Sequence, residues 1–336
     1  MRATRTYASR WLALIVVAVS APLMASQPPA FRTNHAALQR ELETLASRAQ
    51  PGTLGIAVLD PQNGERWRVH ADRAYPMMSV FKAPVAAAVF AQIDQGALSM
   101  DKTVTLTRAD LVGGSAVPSI GTHFRGERMT FTVRQLLAAA VSDSDNTAVD
   151  ALLKLVPPRD VTAFLRAHGI DGMRVDMGEA GVEHVFEQLA PGQQPPANES
   201  AQAQERRLQR GYRAYLADPR NRSTPDAAAD FLQKLQRGDL LSPSSTHALL
   251  ALMRAQTQPS RLRRGLPHGV RLADKCGTSY TLDGLTAAYN DIGILTWPDG
   301  RRAIVAAFLT DSNATKAERD ALFADLARTM SASLQP

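Results

Sequence analysis

The sequence predicts an α+β protein. One antiparallel sheet, flanked by helices, takes its strands from both ends of the chain, and an all-helical domain is inserted between them. Three observations lead there. Strand-like apolar runs occupy 54–60 and 65–70, then do not recur until 270–275, 287–296 and 302–309. Between them, from 79 to about 251, apolar residues return at helical spacing. The same spacing marks helices at 31–49 and 314–333, on either side of the strands.

The first helix is closed by Pro51-Gly52, because proline cannot continue it. Strand 54–60 leads into Pro61-Gln62-Asn63-Gly64, whose Asn-Gly pair signals a hairpin, and 65–70 returns beside it. The helical block contains 83–93, 132–140, 147–155, 160–168 and 225–236, and Pro298-Asp299-Gly300 turns the chain between the last two strands. The expected division is a leader at 1–26, a sheet domain from 27–75 and 252–336, and a helical domain at 76–251. An insertion at about 189–222 starts with prolines, continues polar around Tyr212 and Tyr215, and reads as a loop and an amphipathic helix on the surface. The crevice between sheet and helices is the expected place for a site.

Arg2, Arg5 and Arg10 precede an apolar run at 11–19 that is too short to span a bilayer, and small residues follow at Ala21, Ala25 and Ser26. This is the pattern of a secretory signal peptide, so a periplasmic location is expected. Those arginines carry three of the formal +6 charges. The remaining basic residues are scattered, which excludes a nucleic-acid surface built on a Lys/Arg run. Cys276 is the single cysteine, so no internal disulfide forms. The histidines at 35, 70, 123, 168, 184, 247 and 268 lack metal-ligand spacing, so no metal or cofactor is implied. The expected partner is a small-molecule substrate, with no nucleic acid, no membrane after leader removal, and a monomeric chain.

The chemistry lies in three motifs. Ser79-Val80-Phe81-Lys82 opens a helix, so the hydroxyl and the lysine amine share a face and the lysine can serve as a base. A second match, Ser99-Met100-Asp101-Lys102, sits in a polar connection and lacks that setting. Ser144-Asp145-Asn146 forms a turn between helices. It would aim Ser144 at a leaving nitrogen, let Asn146 bond a substrate amide, and brace itself through Asp145. Lys275-Cys276-Gly277-Thr278 ends a strand. Lys275 would attract a carboxylate and lower the proton affinity of Ser144, while Gly277 admits close approach. The N–H groups of Thr278 and Ser79 would form an oxyanion hole. Together these are the parts needed to acylate a serine with a strained amide.

The ordered trio resembles that of class A serine β-lactamases. The likeness covers nearly the whole mature length. It includes 74–82, Ser223-Thr224-Pro225 with Leu240-Leu241-Ser242, and Asn290-Asp291-Ile292-Gly293 before Trp297-Pro298-Asp299-Gly300. It is nearest to the extended-spectrum subgroup with a remodelled omega loop. The resemblance implies a β-lactamase/transpeptidase-like fold and hydrolysis of β-lactams through an acyl-enzyme. It places the deacylating glutamate at Glu179, after Arg174-Val175-Asp176-Met177-Gly178, with Glu183 as the second candidate. Met177 stands where the family has a loop arginine, Glu183 or a neighbour where it has a water-holding asparagine, and Cys276 where it has Thr or Ser. Arg261, before Leu266-Pro267-His268-Gly269, would bind the substrate carboxylate, with Arg263 and Arg264 as neighbouring alternatives. Two rivals share the scaffold: a penicillin-binding D-alanyl-D-alanine peptidase and a catalytically silent binding protein.

Overall fold

The computed structural model describes residues 33–334, apart from 191, 192, 194, 259 and 260; the leader lies outside the described residues. Helix α1 (His35–Ser47) starts where Asn34 Oδ1 accepts the Ala37 N–H. Strands β1 (Thr53–Leu59), β2 (Arg66–Val69) and β3 (Tyr75–Pro76) follow, then a 3₁₀ turn, Met78–Phe81, feeding α2 (Lys82–Asp94). Next come β4 (Thr103–Thr107), α3 (Ser119–His123), β5 (Arg128–Thr132), α4 (Val133–Ala138), α5 (Asn146–Leu153), α6 (Pro158–Ala167) and α7 (Glu179–Glu187). The chain continues through α8 (Ala201–Ala217), β6 (Arg222–Ser223), α9 (Pro225–Arg237) and α10 (Pro243–Arg254). It returns to the sheet as β7 (Arg271–Thr278), β8 (Thr281–Leu282), β9 (Leu285–Thr296) and β10 (Arg302–Ser312), and α11 (Lys316–Ser333) follows.

The main sheet runs β2-β1-β10-β9-β7, antiparallel at every pairing, with β8 beside β9. Side chains alternate across it, so it buries two cores. Ala57, Ala306 and Ile292 form a register row that ends on Lys275 and faces the helical layer, where Phe81, Phe90 and Val149 pack. Ile56, Val305 and Leu309 face the other way, against Leu38 and Leu42 of α1 and Phe323 and Leu326 of α11. Strand β7 is an edge, and its free side borders the helices. That places Lys275 at the junction of the two layers.

Two parts of the helical block differ from expectation. It holds a hairpin, β4 with β5, paired through Thr105 and Thr130. Val104 and Leu106 alternate with threonines, as Met129 and Phe131 do, so a period of two won locally over the helical surroundings. The polar segment around α8 is also more than surface. Arg207, Gly211, Tyr212 and Tyr215 are buried, and Gly211 packs so closely on α7 that a Cβ there would lie 1.9 Å from the Phe186 carbonyl oxygen. Among the described residues, no helix is long and apolar enough to cross a membrane.

Candidate active site

The turn carrying Ser79 is held from the sheet. Asn290 Nδ2 donates to the carbonyls of Pro76 (2.7 Å) and Met77 (3.1 Å), and Met78 adopts φ 45°, a costly conformation for a side chain of its size. Strand β7 passes so near that a Cβ on Gly277 would sit 2.5 Å from Met77 O and 3.0 Å from Ser79 N. Only glycine permits that approach. The Ser279 N–H donates to Ala288 O, so alternation along an antiparallel edge turns the Thr278 N–H away from β9 and into the cleft. Ser79 is partly exposed there, and its Oγ donates to Glu179 Oε1 at 3.1 Å.

Lys82 is fully buried at the start of α2. Its ammonium donates to Ser144 O (2.7 Å) and Asn146 Oδ1 (2.6 Å) and pairs with Glu179 Oε1 (3.0 Å). Ser144 Oγ lies 3.4 Å from the same nitrogen, so the lysine sits among four acceptors. Ser144 takes a left-handed conformation, φ 60°, between the helical turn 139–143 and α5, which points its carbonyl at Lys82. Asp145 braces the turn by accepting the N–H groups of Ala148 and Ile120. Lys275 Nζ donates to Ser144 Oγ at 3.0 Å, and burial, with Lys82 nearby, brings its pKa down to about 8. The serine of the second motif is therefore flanked by both lysines. Ser99 and Lys102 are exposed on the connection before β4, outside the cleft lining.

Glu179 is the first residue of α7, and its anchor is a residue that sequence reasoning missed. Asp150, one helical turn after Asn146 on α5, accepts the Glu179 N–H (2.7 Å) and the Ala180 N–H (2.9 Å), two donors left over at the start of α7. A Cβ on Gly178 would lie 2.2 Å from Asp150 Oδ1, so a larger residue there would displace the carboxylate that holds α7. Burial pushes the Asp150 pKa up to about 6, against the two N–H bonds that favour its charge. Asn221 is the other missed residue: its Oδ1 accepts from Asp176 N and Met177 N, and its Nδ2 donates to Met177 O. These two residues hold the loop around Met177. The spacing of four between Asn146 and Asp150 was the one available signal. Behind α7, Phe186 stacks on Tyr215 of α8 at 4.2 Å, and Tyr215 reaches Met78 next to the nucleophile. Glu183 also lines the cleft, but it is Glu179 that meets Ser79.

Of the three candidate arginines, Arg261 lines the cleft. It lies over the Tyr289 ring at 4.1 Å and donates to Thr278 Oγ1. Arg263 is occupied by Asp274 and Arg264 by Asp320. Cys276 is buried beside Gln256, whose Nε2 lies 3.1 Å from the sulfur.

The family model for the β-lactamase enzyme family matches residues 37–334, and the chain belongs to that family. It is 32% identical over 294 residues to the extended-spectrum β-lactamase PER-1 of Pseudomonas aeruginosa, covering 87% of this chain and 85% of that one. It is 29% identical over 311 residues to the β-lactamase Toho-1 of Escherichia coli, with 91% of each chain covered. Among solved structures, a β-lactamase from Chitinophaga pinensis matches at 30% identity and a TM-score of 0.75, covering 89% of this chain and all of that one. The class A β-lactamase of the last common ancestor of Gram-negative bacteria matches at 35% identity and 0.72, with 89% and 100% covered. The fold is that of class A, and β-lactamase activity follows from this membership.

Proposed function

We propose that the site opens the β-lactam amide by attack of Ser79 and then hydrolyses the resulting ester, with Glu179 receiving a proton in each half. The observation that carries this is the pair of contacts on one oxygen: Glu179 Oε1 accepts from Ser79 Oγ and pairs with Lys82. As Ser79 attacks, its proton passes to Glu179. Lys82 gives a proton to Ser144, 3.4 Å away, and regains one from Glu179, while Ser144 protonates the leaving nitrogen. The proton count closes, with the serine proton ending on the nitrogen. The N–H groups of Ser79 and Thr278 hold the oxyanion, and Lys275 and Arg261 hold the carboxylate. For deacylation, water takes the place beside Glu179, which removes its proton and returns it to Ser79 Oγ.

The protein acts after export, as a monomer in the periplasm. The arginine-led apolar segment supports export. Among the described residues Tyr280 is the one large exposed hydrophobic side chain, and it borders the cleft, which supports a monomer. Purified protein mixed with a chromogenic cephalosporin tests the reading. Sustained colour over many turnovers is expected. A single stoichiometric burst would instead make it a penicillin-binding peptidase, and no colour a silent binding protein.

A further inference from the structure

A β-lactam carries its carboxylate on the leaving-nitrogen side and its acylamino substituent on the carbonyl side. With the carboxylate against Lys275 and Arg261, that substituent runs the other way, toward α7 and Tyr280. The charge there is of the opposite sign. Glu183 lines the cleft half-buried, and among the described residues no hydrogen bond or ion pair engages it. Its Oε1 would lie 3.8 Å from a Cβ on Gly113, so it reaches the opposite wall. Glu179 and Glu187 add negative potential around it and His184 opposes them, while the negative charge of Glu179 is matched by Lys82.

Aromatic rings complete this end. Tyr280 arches over the cleft until its hydroxyl occupies the space a Cβ on Gly114 would need, 2.5 Å away, and φ 71° at Gly114 suits glycine. Phe186 meets Tyr280 edge to face at 6.0 Å. A carboxylate without a partner beside exposed aromatic surface is a setting for a cation.

We propose that Glu183, with Tyr280, selects β-lactams whose acyl side chain carries a positive charge, so that the cleft reads a zwitterion: carboxylate at Lys275 and Arg261, ammonium at Glu183. This rests on the β-lactamase reading, and the test separates the two.

Three penicillins share a phenylacetyl-type side chain and differ at its α-carbon: ampicillin with an ammonium, benzylpenicillin with hydrogen, carbenicillin with a carboxylate. The expected order of kcat/KM is ampicillin, then benzylpenicillin, then carbenicillin. In Glu183→Gln the ampicillin-to-carbenicillin ratio should fall about fivefold, the scale of a partly exposed ion pair, and in Glu183→Lys it should fall further. Raising the salt concentration should shrink the same ratio in the unaltered protein, a readout that does not depend on how the variants fold. A ratio that is unmoved by Glu183→Gln and by salt, or that favours carbenicillin, overturns the proposal even if benzylpenicillin is hydrolysed well. Failure to hydrolyse all three overturns the underlying reading, and the proposal with it.

Discussion

Ser79, Lys82, Ser144 and Lys275 reach one another from three short stretches of chain, each fixed by its own turn or strand. Glu179 is held differently. Its backbone hangs from Asp150, 29 residues earlier, its loop is tied by Asn221, 44 residues after Met177, and its helix is backed by α8. Each acylating motif thus sets its own residues within a short stretch, whereas Glu179 depends for its placement on residues outside its own stretch; both sets are brought together by long-range packing. The two halves should respond differently to substitution.

The largest effect belongs to the local half. Ser79→Ala should abolish turnover and covalent labelling, a loss on the order of 10⁶-fold in kcat. Intact-mass measurement after exposure to a β-lactam checks it, and an adduct on Ser99 or Cys276 would refute the assignment. In the assembled half, Asp150→Ala leaves two buried N–H groups unpaired. It should cost about 2–4 kcal/mol in urea unfolding and slow deacylation about 10²-fold, with acylation slowed less because Lys82 stays beside Ser79, so that a burst is still seen. If burst and steady state fell together, the halves would not be separable in this way. Arg261→Ala should raise KM about 10–100-fold with a smaller change in kcat, the scale of one charged hydrogen bond. An unchanged KM would assign the carboxylate to Lys275 alone.

The smallest effect is in the pH profile. Asp150 is ionised above about 6 and Lys275 is charged below about 8, so kcat/KM should be highest between those values. Protonation of Asp150 leaves its carboxyl fewer acceptors for the α7 N–H groups, and loss of the Lys275 charge weakens carboxylate capture. For Asp150 the sign for stability is opposite. Its folded pKa is raised, so its contribution is full below the ordinary carboxylate range and is lost as the pH rises through about 6. Activity should therefore gain on the acid side over the interval in which stability falls. Asp150→Asn should remove the acid limb and leave the alkaline one.

The same contrast explains what was legible in the sequence. The sheet with strands from both chain ends could be read because β1, β9 and β10 are mostly apolar runs, broken in β9 by Asn290 and Asp291. The three motifs could be read because each carries its chemistry within four residues. Glu179 was reached through resemblance, and its support was not, since the four-residue spacing of Asn146 and Asp150 is the one local signal and does not name a partner so far along the chain. The buttressing role of α8 was hidden for a related reason. Its composition is polar overall, and only Gly211, Tyr212 and Tyr215 form the seam against α7. Hairpin β4–β5 was readable from its alternating pattern and was absorbed into the surrounding helices.

The central claim, that Glu179 activates the hydrolytic water, is tested most directly by intact mass of Glu179→Gln and Glu183→Gln after mixing with a β-lactam. The amide keeps the size of the side chain but cannot take a proton from water, a loss of about 10²–10⁴-fold for a general base. In Glu179→Gln the ion pair to Lys82 is gone and the lysine amine takes the Ser79 proton in place of the carboxylate, so acylation is slowed but not stopped. Glu179→Gln should therefore accumulate a stable adduct on Ser79, and Glu183→Gln should not. An adduct trapped in Glu183→Gln alone would move the base by four residues, and no trapping in either would contradict the account.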